Sequence, residues 1–453
     1  MKKLFVSVFM VVVLASTQTC AAERANLSGV TRDMLTPGFW ISRAAKPNKI
    51  LMNRDEIAAF SNEIKHTDKT HCVDVFSLPV MLTAEQLASY INTFDFPKEE
   101  RYVGDIKADA KHYEQINRLR DVAAVRELNI VRFGTAIRDT QIRAFPTDDP
   151  SYTEPNYVEF DMNVESVAKI WEPLALLHTS HDGRWMLAQS PSVLGWVKSE
   201  DIAVIGRDAL KKYLDMDFLV ITGNRIFLDR SHTSPQAERT ELTMGTKLPL
   251  VKGVDIVDGI TADYSNTAIL PGRDKDGNFI EKRARIPLHC DTSVGYLPYT
   301  QANIIKQAFK MLGERYGWGG LWNARDCSAY IKDIYLTFGV ELPRNSRSQT
   351  RIPSTHFDTK DMQPEKKELL ILKLPAGAIL QMPGHIVLYL GRFNGRPYII
   401  PDAYAYGESG LKGTNGRTKI NCVAISDLQI TRKNGSTFLE AIHNINVIKS
   451  AGK

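Results

Sequence analysis

Cys327 closes a glycine-rich run, Tyr316-Gly317-Trp318-Gly319-Gly320-Leu321-Trp322-Asn323-Ala324-Arg325-Asp326, and Ser328 follows it. Apolar residues then recur at helical spacing, Tyr330, Ile331, Ile334, Tyr335 and Phe338, until Gly339 stops them. The spacing therefore predicts a helix that begins at the cysteine. Unpaired N–H groups and the positive dipole end of a helix favour a thiolate, the reactive form of cysteine. A single cysteine is more often a small buried apolar residue. Here the preceding glycines and a downstream histidine favour chemistry.

That histidine is His385, which opens the strand-like run Pro383-Gly384-His385-Ile386-Val387-Leu388-Tyr389-Leu390-Gly391. Asn394-Gly395 signals a two-residue hairpin, and the return run passes Tyr398, Ile399 and Ile400 toward Asp402. If Phe393 pairs with Arg396, Asp402 lies opposite Val387, diagonal to His385 on the same face, where it would orient the imidazole. A thiol on a helix N-terminus, a histidine on an adjacent sheet and a polar orienter suit papain-like hydrolysis. The imidazole takes the thiol proton, the sulfur attacks a carbonyl and backbone N–H groups hold the oxyanion. His356 and His443, in an irregular segment and near the C-terminus, are weaker candidates.

Elements able to position this pair are legible on both sides. Thr300 precedes a helical pattern of Ile304, Ile305, Ala308, Phe309 and Leu312 that ends at Gly313. Between residues 129 and 297 short alternating runs separated by turns give an all-β signature. The Asp182-Gly183 hairpin signal and a closing Gly195-Trp196-Val197 read as a small SH3-like barrel at 129–206. A second, more diverged barrel follows at 207–297, entered through a helix-like stretch at 207–213. Such barrels bind ligands or wall, or act as spacers. Tyr152, Tyr157 and Trp185 are groove candidates, although tryptophan in so small a barrel is more often core.

Residues 23–128 read as helices with irregular connections: Thr83 and Gln86 form a capping box, and helical spacing recurs over 113–130. His66, His71 and His112 read as surface or packing residues. Residues 1–22 read as a secretory leader, with Lys2 and Lys3, an apolar run and small residues up to Ala22. The reading makes the protein exported, periplasmic or extracellular, and lipid attachment at Cys20 is the less favoured alternative. No later stretch is long enough to span a bilayer.

With 43% hydrophobic and 24% charged residues the chain can bury a sizeable core. A formal charge of +5, or +3 without Lys2 and Lys3, is too weak to imply nucleic acid but suits an anionic polymer such as a cell wall. Cys72, Cys290 and Cys422 make no disulfide framework and form at most one pair beside a working Cys327. No metal-ligand spacing or phosphate loop is present, so no cofactor is expected.

Taken with Leu342-Pro343-Arg344-Asn345-Ser346, the runs around Cys327 and His385 resemble the NlpC-type cysteine peptidases that cut bacterial cell-wall peptides. They are most similar to a subgroup with a helical N-terminal segment and two SH3-like domains. The resemblance implies a multidomain α+β chain: a helical N-terminal domain at 23–128, SH3-like barrels at 129–206 and 207–297, and a papain-like NlpC-type domain at 298–453. It implies Cys327 as nucleophile, His385 as base and Tyr316 beside the oxyanion, with Trp318, Asp326 and Ser328 binding substrate. Asp326 and Ser328 would hold the free amine of an L-Ala-γ-D-Glu-diamino acid peptide, cut between D-Glu and the diamino acid. The implied partner is peptidoglycan or its released peptides, the implied state a monomer, and the first barrel would narrow the cleft.

One position departs from the pattern. Relatives usually carry a third polar residue, often histidine, where Pro401 stands here. Asp402 replaces it through a one-residue shift, or a backbone carbonyl orients the base, or activity is reduced. Ala329 stands where many relatives have glycine, a harmless change. An amidase or acyltransferase on the same core, and a wall-binding protein with reduced catalysis, are the competing readings.

Overall fold

The computed structural model describes residues 27, 29–229, 240–407 and 417–449. The leader read over 1–22, with Cys20, lies outside them. Seven antiparallel strands between Arg132 and Val204 form one sheet, with Gly183 at φ 70° in the hairpin between Pro173–Thr179 and Trp185–Gln189. Trp171, Trp185 and Trp196 are all buried, so Trp185 is core rather than groove. The helix Arg207–Leu214 leads into a second sheet of five strands between Phe218 and Val294. Leu219, Leu248 and Ile286 share a single apolar core with the tryptophans, and Trp171 Nε1 donates to the Ile269 carbonyl at 2.8 Å. The two β units are thereby fastened side by side.

The N-terminal residues attach to both neighbours. Trp40, Ile57, Phe60 and Ile64 enter the core that also contains Cys327, whereas Leu82, Leu87 and Ile91 enter the core of the barrels. The capping box forms, with Gln86 N–H donating to Thr83 Oγ1 at 3.2 Å and Thr83 N–H donating to Gln86 Oε1 at 3.0 Å. Helical spacing over 113–130 overstates the element. The helix Ala110–Arg120 stops at Asp121, whose φ of 49° ends it, and Leu128–Ile130 pairs as a strand with Met81–Thr83.

From Thr300, which caps the helix Gln301–Phe309, the chain builds a six-stranded sheet against which the helix Cys327–Leu336 packs. A buried ionic network fixes that helix to both β units. Arg325 Nε donates to Asp333 at 2.7 Å and its Nη1 to Glu314 at 2.8 Å. Lys169, from the first barrel, reaches Asp333 at 2.9 Å, and Arg225, from the second, reaches Glu314 at 2.8 Å. Each buried charge has an opposite partner, without which it would be strongly destabilising. Cys72, Cys290, Cys327 and Cys422 are all unpaired.

Candidate active site

Asp326 caps the helix that starts at Cys327: its Oδ1 accepts from the Ser328 and Ala329 N–H groups at 3.2 and 3.0 Å. Its second oxygen accepts from the Gly319 N–H at 3.1 Å. Arg344 then grips the carboxylate with both arms, Nη1 to Oδ1 at 3.0 Å and Nη2 to Oδ2 at 2.6 Å, and also donates to Ser328 Oγ and to Ser166 Oγ of the first barrel. Burial alone would raise the Asp326 carboxyl, but Arg344 and these donors hold it below the usual range. The Cys327 thiol is pushed up, first by burial and then by the Asp326 charge, while a backbone hydrogen bond from Ile386 opposes the shift. Burial and the Asp326 charge thus favour the thiol over the thiolate.

The glycines before Cys327 have a steric role. Gly319 and Gly320 lie at φ 63° and 104°, and a Cβ on them would stand 2.3 Å from the Val164 carbonyl oxygen and 2.3 Å from Val167 Cγ2. Only glycine lets the strand Val164–Ala168 approach this close. Its residues wall a cleft of about 800 Å³ lined by Tyr316, Trp318, Cys327 and Ser328 on one side, Glu165 and Met162 from the barrel on another, and His71 and Tyr90 from the N-terminal residues. Phe160, on the segment before that strand, meets the rings of Trp318, Tyr316 and Tyr404 at 5.4, 6.2 and 4.8 Å. Glu165 makes no hydrogen bond within the described chain, and burial raises its carboxyl against the opposing pull of Arg344.

His385 is the first residue of the strand His385–Phe393, entered by a two-residue turn with Gly384 at φ 76°. Ile386, Leu388 and Leu390 face the core containing Cys327; Val387 and Tyr389 face the opposite core. The His385 ring continues the second face, meeting Phe438 at 5.7 Å, and its buried Nε2 has no hydrogen-bond partner. Phe393 does pair with Arg396, but a bulge at Leu390 changes the register, so that Leu388 stands opposite Ile400. Asp402 is consequently not opposite Val387: the strand ends at Ile400, and Asp402 starts a new pairing with Val423. Its carboxyl is buried with both oxygens unpartnered, and burial together with the Asp326 and Glu314 charges raises it well above the carboxylate range. Its field reaches Cys327, Tyr316 and Tyr330, on the cysteine's side of the sheet. Among the described residues no hydrogen bond joins His385 to Cys327 or to Asp402.

Residues 313–409, which carry this cysteine and histidine, match the NlpC/P60 family. The chain carries an NlpC/P60 domain. Residues 150–198 match an SH3 domain of the SH3b1 type. An NlpC/P60 endopeptidase from Photobacterium damselae subsp. piscicida superposes with a TM-score of 0.72 at 17% identity, over 90% of this chain and 96% of that one, a likeness of fold. An NlpC/P60 family protein from Bacillus cereus aligns at 15% identity over 70% of this chain and 99% of that one, with a TM-score of 0.49. No curated protein sequence matches. NlpC/P60 proteins are cysteine peptidases, in general terms hydrolases of the cell wall.

Within the NlpC/P60 domain the structure brings together Tyr316, Trp318, Asp326, Cys327 and Ser328. His385 opens its strand with its ring on Phe438, while Asp402 lies beyond the end of the strand that pairs with it. Sequence reasoning missed Glu165, since alternation along a barrel strand does not reveal what the strand faces. Arg344 was visible only as part of the run Leu342-Pro343-Arg344-Asn345-Ser346, which does not reveal its grip on Asp326.

Burial, followed by the nearby Arg432 charge, lowers His385 to about 4, with Asp326 opposing. The neutral, proton-accepting imidazole thus persists to lower pH than usual. In a kcat/KM profile of the free enzyme, activity should hold to about pH 5 and fall as pH approaches about 4. An acid limb centred at the ordinary histidine value of 6.5 contradicts this.

Proposed function

We propose that the protein is an exported cysteine endopeptidase that cuts the bond between D-Glu and the diamino acid in stem peptides bearing a free N-terminal L-Ala. The observation that carries the reading is Cys327 at a helix N-terminus, on the floor of a cleft whose far wall presents the uncommitted carboxyl of Glu165. Asp326 is already occupied by Arg344, so the amine is assigned to Glu165, with Asp326 and Ser328 behind it. In the reaction the His385 ring leaves Phe438, turns to the sulfur and takes the thiol proton. The thiolate attacks the γ-carbonyl carbon of D-Glu, and the oxyanion is met by the Cys327 N–H and the Tyr316 hydroxyl. His385 returns the proton to the departing amine, leaving a thioester that water hydrolyses with the same base.

Blocking the L-Ala amine by acetylation should lower kcat/KM at least about tenfold, and Glu165→Gln should raise KM for the free peptide by a similar factor, as expected for losing a charge-assisted hydrogen bond. Equal rates on free and acetylated peptides would remove the amine from the account. A second reading, a wall-binding protein with reduced catalysis, is favoured by the unbonded His385 and Asp402 and by Pro401 where a polar residue is usual.

A further inference from the structure

Beyond Cys327 the cleft does not end. Gly384 and Ser346 line it, and the same two residues line a second groove of about 680 Å³ on the far side of the Pro383-Gly384 turn. The two spaces differ in charge. The cleft sets Glu165 and Asp326 beside Arg344 and Lys69, whereas no carboxylate lines the groove, which is flanked by Arg347 and Arg351 with His356 and His443. Neither arginine side chain has a hydrogen bond or ion pair with any described residue, and both are exposed. His356 Nε2 is 3.0 Å from Asn444 Oδ1, and His443 is lowered by burial and by the charges of Lys367, Lys360 and Arg432, with Asp358 opposing. The groove is thus a cationic site whose two guanidinium groups are uncommitted.

A peptide whose amino end lies against Glu165 and whose scissile carbonyl lies over Cys327 can run on past Gly384, which the cleft and the groove share. We propose that this groove is the leaving-side subsite and that Arg347 and Arg351 bind a side-chain carboxylate of the residue after the cut bond. This deepens the proposed function and rests on the orientation given there. Diaminopimelate carries a carboxylate at the end of its side chain; lysine carries the same amine without it. Guanidinium groups bind carboxylates with paired N–H donors, so the subsite selects diaminopimelate, with its second carboxylate, over lysine, which has only the α-carboxylate.

The test separates binding from turnover. Full-length Cys327→Ala protein, which holds the peptide uncut, is titrated calorimetrically with L-Ala-γ-D-Glu-diaminopimelate and with L-Ala-γ-D-Glu-L-Lys. The diaminopimelate peptide should bind about tenfold more tightly, as one charge-assisted pair implies, and the Arg347→Gln/Arg351→Gln double variant in the same background should erase the difference. Equal dissociation constants in the Cys327→Ala protein, or a preference that survives loss of both arginines, overturns the proposal. Cleavage by the wild-type protein plays no part in these titrations, so failure of the peptidase reading shows separately, as absence of product.

Discussion

Replacing Cys327 with alanine is expected to lower turnover of the L-Ala-γ-D-Glu-diaminopimelate peptide by about 10⁴-fold or more while leaving thermal unfolding nearly unchanged. The sulfur sits at a helix N-terminus in the cleft and accepts from the Ile386 backbone, whereas the neighbouring Ser328 hydroxyl is committed to Asp326 and Arg344. Its contribution to folding is small by comparison, because the cap is made by Asp326 and the dominant packing by Tyr330, Ile331 and Ile334 further along the helix. Initial rates by chromatography and a melt of the same preparation distinguish loss of chemistry from loss of fold. A residual rate within tenfold of wild type would place the nucleophile elsewhere.

Arg344→Ala should produce the largest loss of stability near the site, about 3–5 kcal/mol, because it leaves the buried Asp326 charge without a partner. Activity should fall in parallel. The uncompensated Asp326 charge would raise the Cys327 thiol further, and the link from Arg344 Nε to Ser166 Oγ that ties the barrel wall to the cysteine loop would be lost. Arg344→Lys keeps the charge but not the forked geometry and should fall between the two. Combining Arg344→Ala with Asp326→Asn should recover part of the stability, since the penalty is the stranded charge rather than the missing arginine. Chemical denaturation of wild type, Arg344→Ala, Asp326→Asn and the double variant checks the cycle; an Arg344→Ala protein as stable as wild type would refute the account of Asp326.

Local rules made the individual elements readable. The Cys327 helix followed from its apolar spacing, the His385 strand from its continuous apolar run, and the hairpin from Asn394-Gly395, where φ values of 48° and 75° require those residues. The relation between elements was less accessible. One extra residue at Leu390 moved Asp402 out of the predicted pairing; Gly391, at φ 138° beside the bulge, is its local signal. The helix expected over 113–130 was cut short by a pairing with Met81–Thr83, about fifty residues away, that local spacing does not contain. Gly319 and Gly320 were visible as a loop signal, yet their cause is the barrel strand pressed against them. Glu165 and the groove beyond Gly384 depend on tertiary contacts alone.

The central claim is that this cleft cuts one bond of a stem peptide. Mass spectrometry of the wild-type protein incubated with L-Ala-γ-D-Glu-diaminopimelate tests it most directly. The account predicts L-Ala-D-Glu and free diaminopimelate in equal amounts, and neither product with Cys327→Ala. Intact peptide after prolonged incubation, or cleavage between L-Ala and D-Glu, would contradict it and favour a wall-binding protein or a different hydrolase.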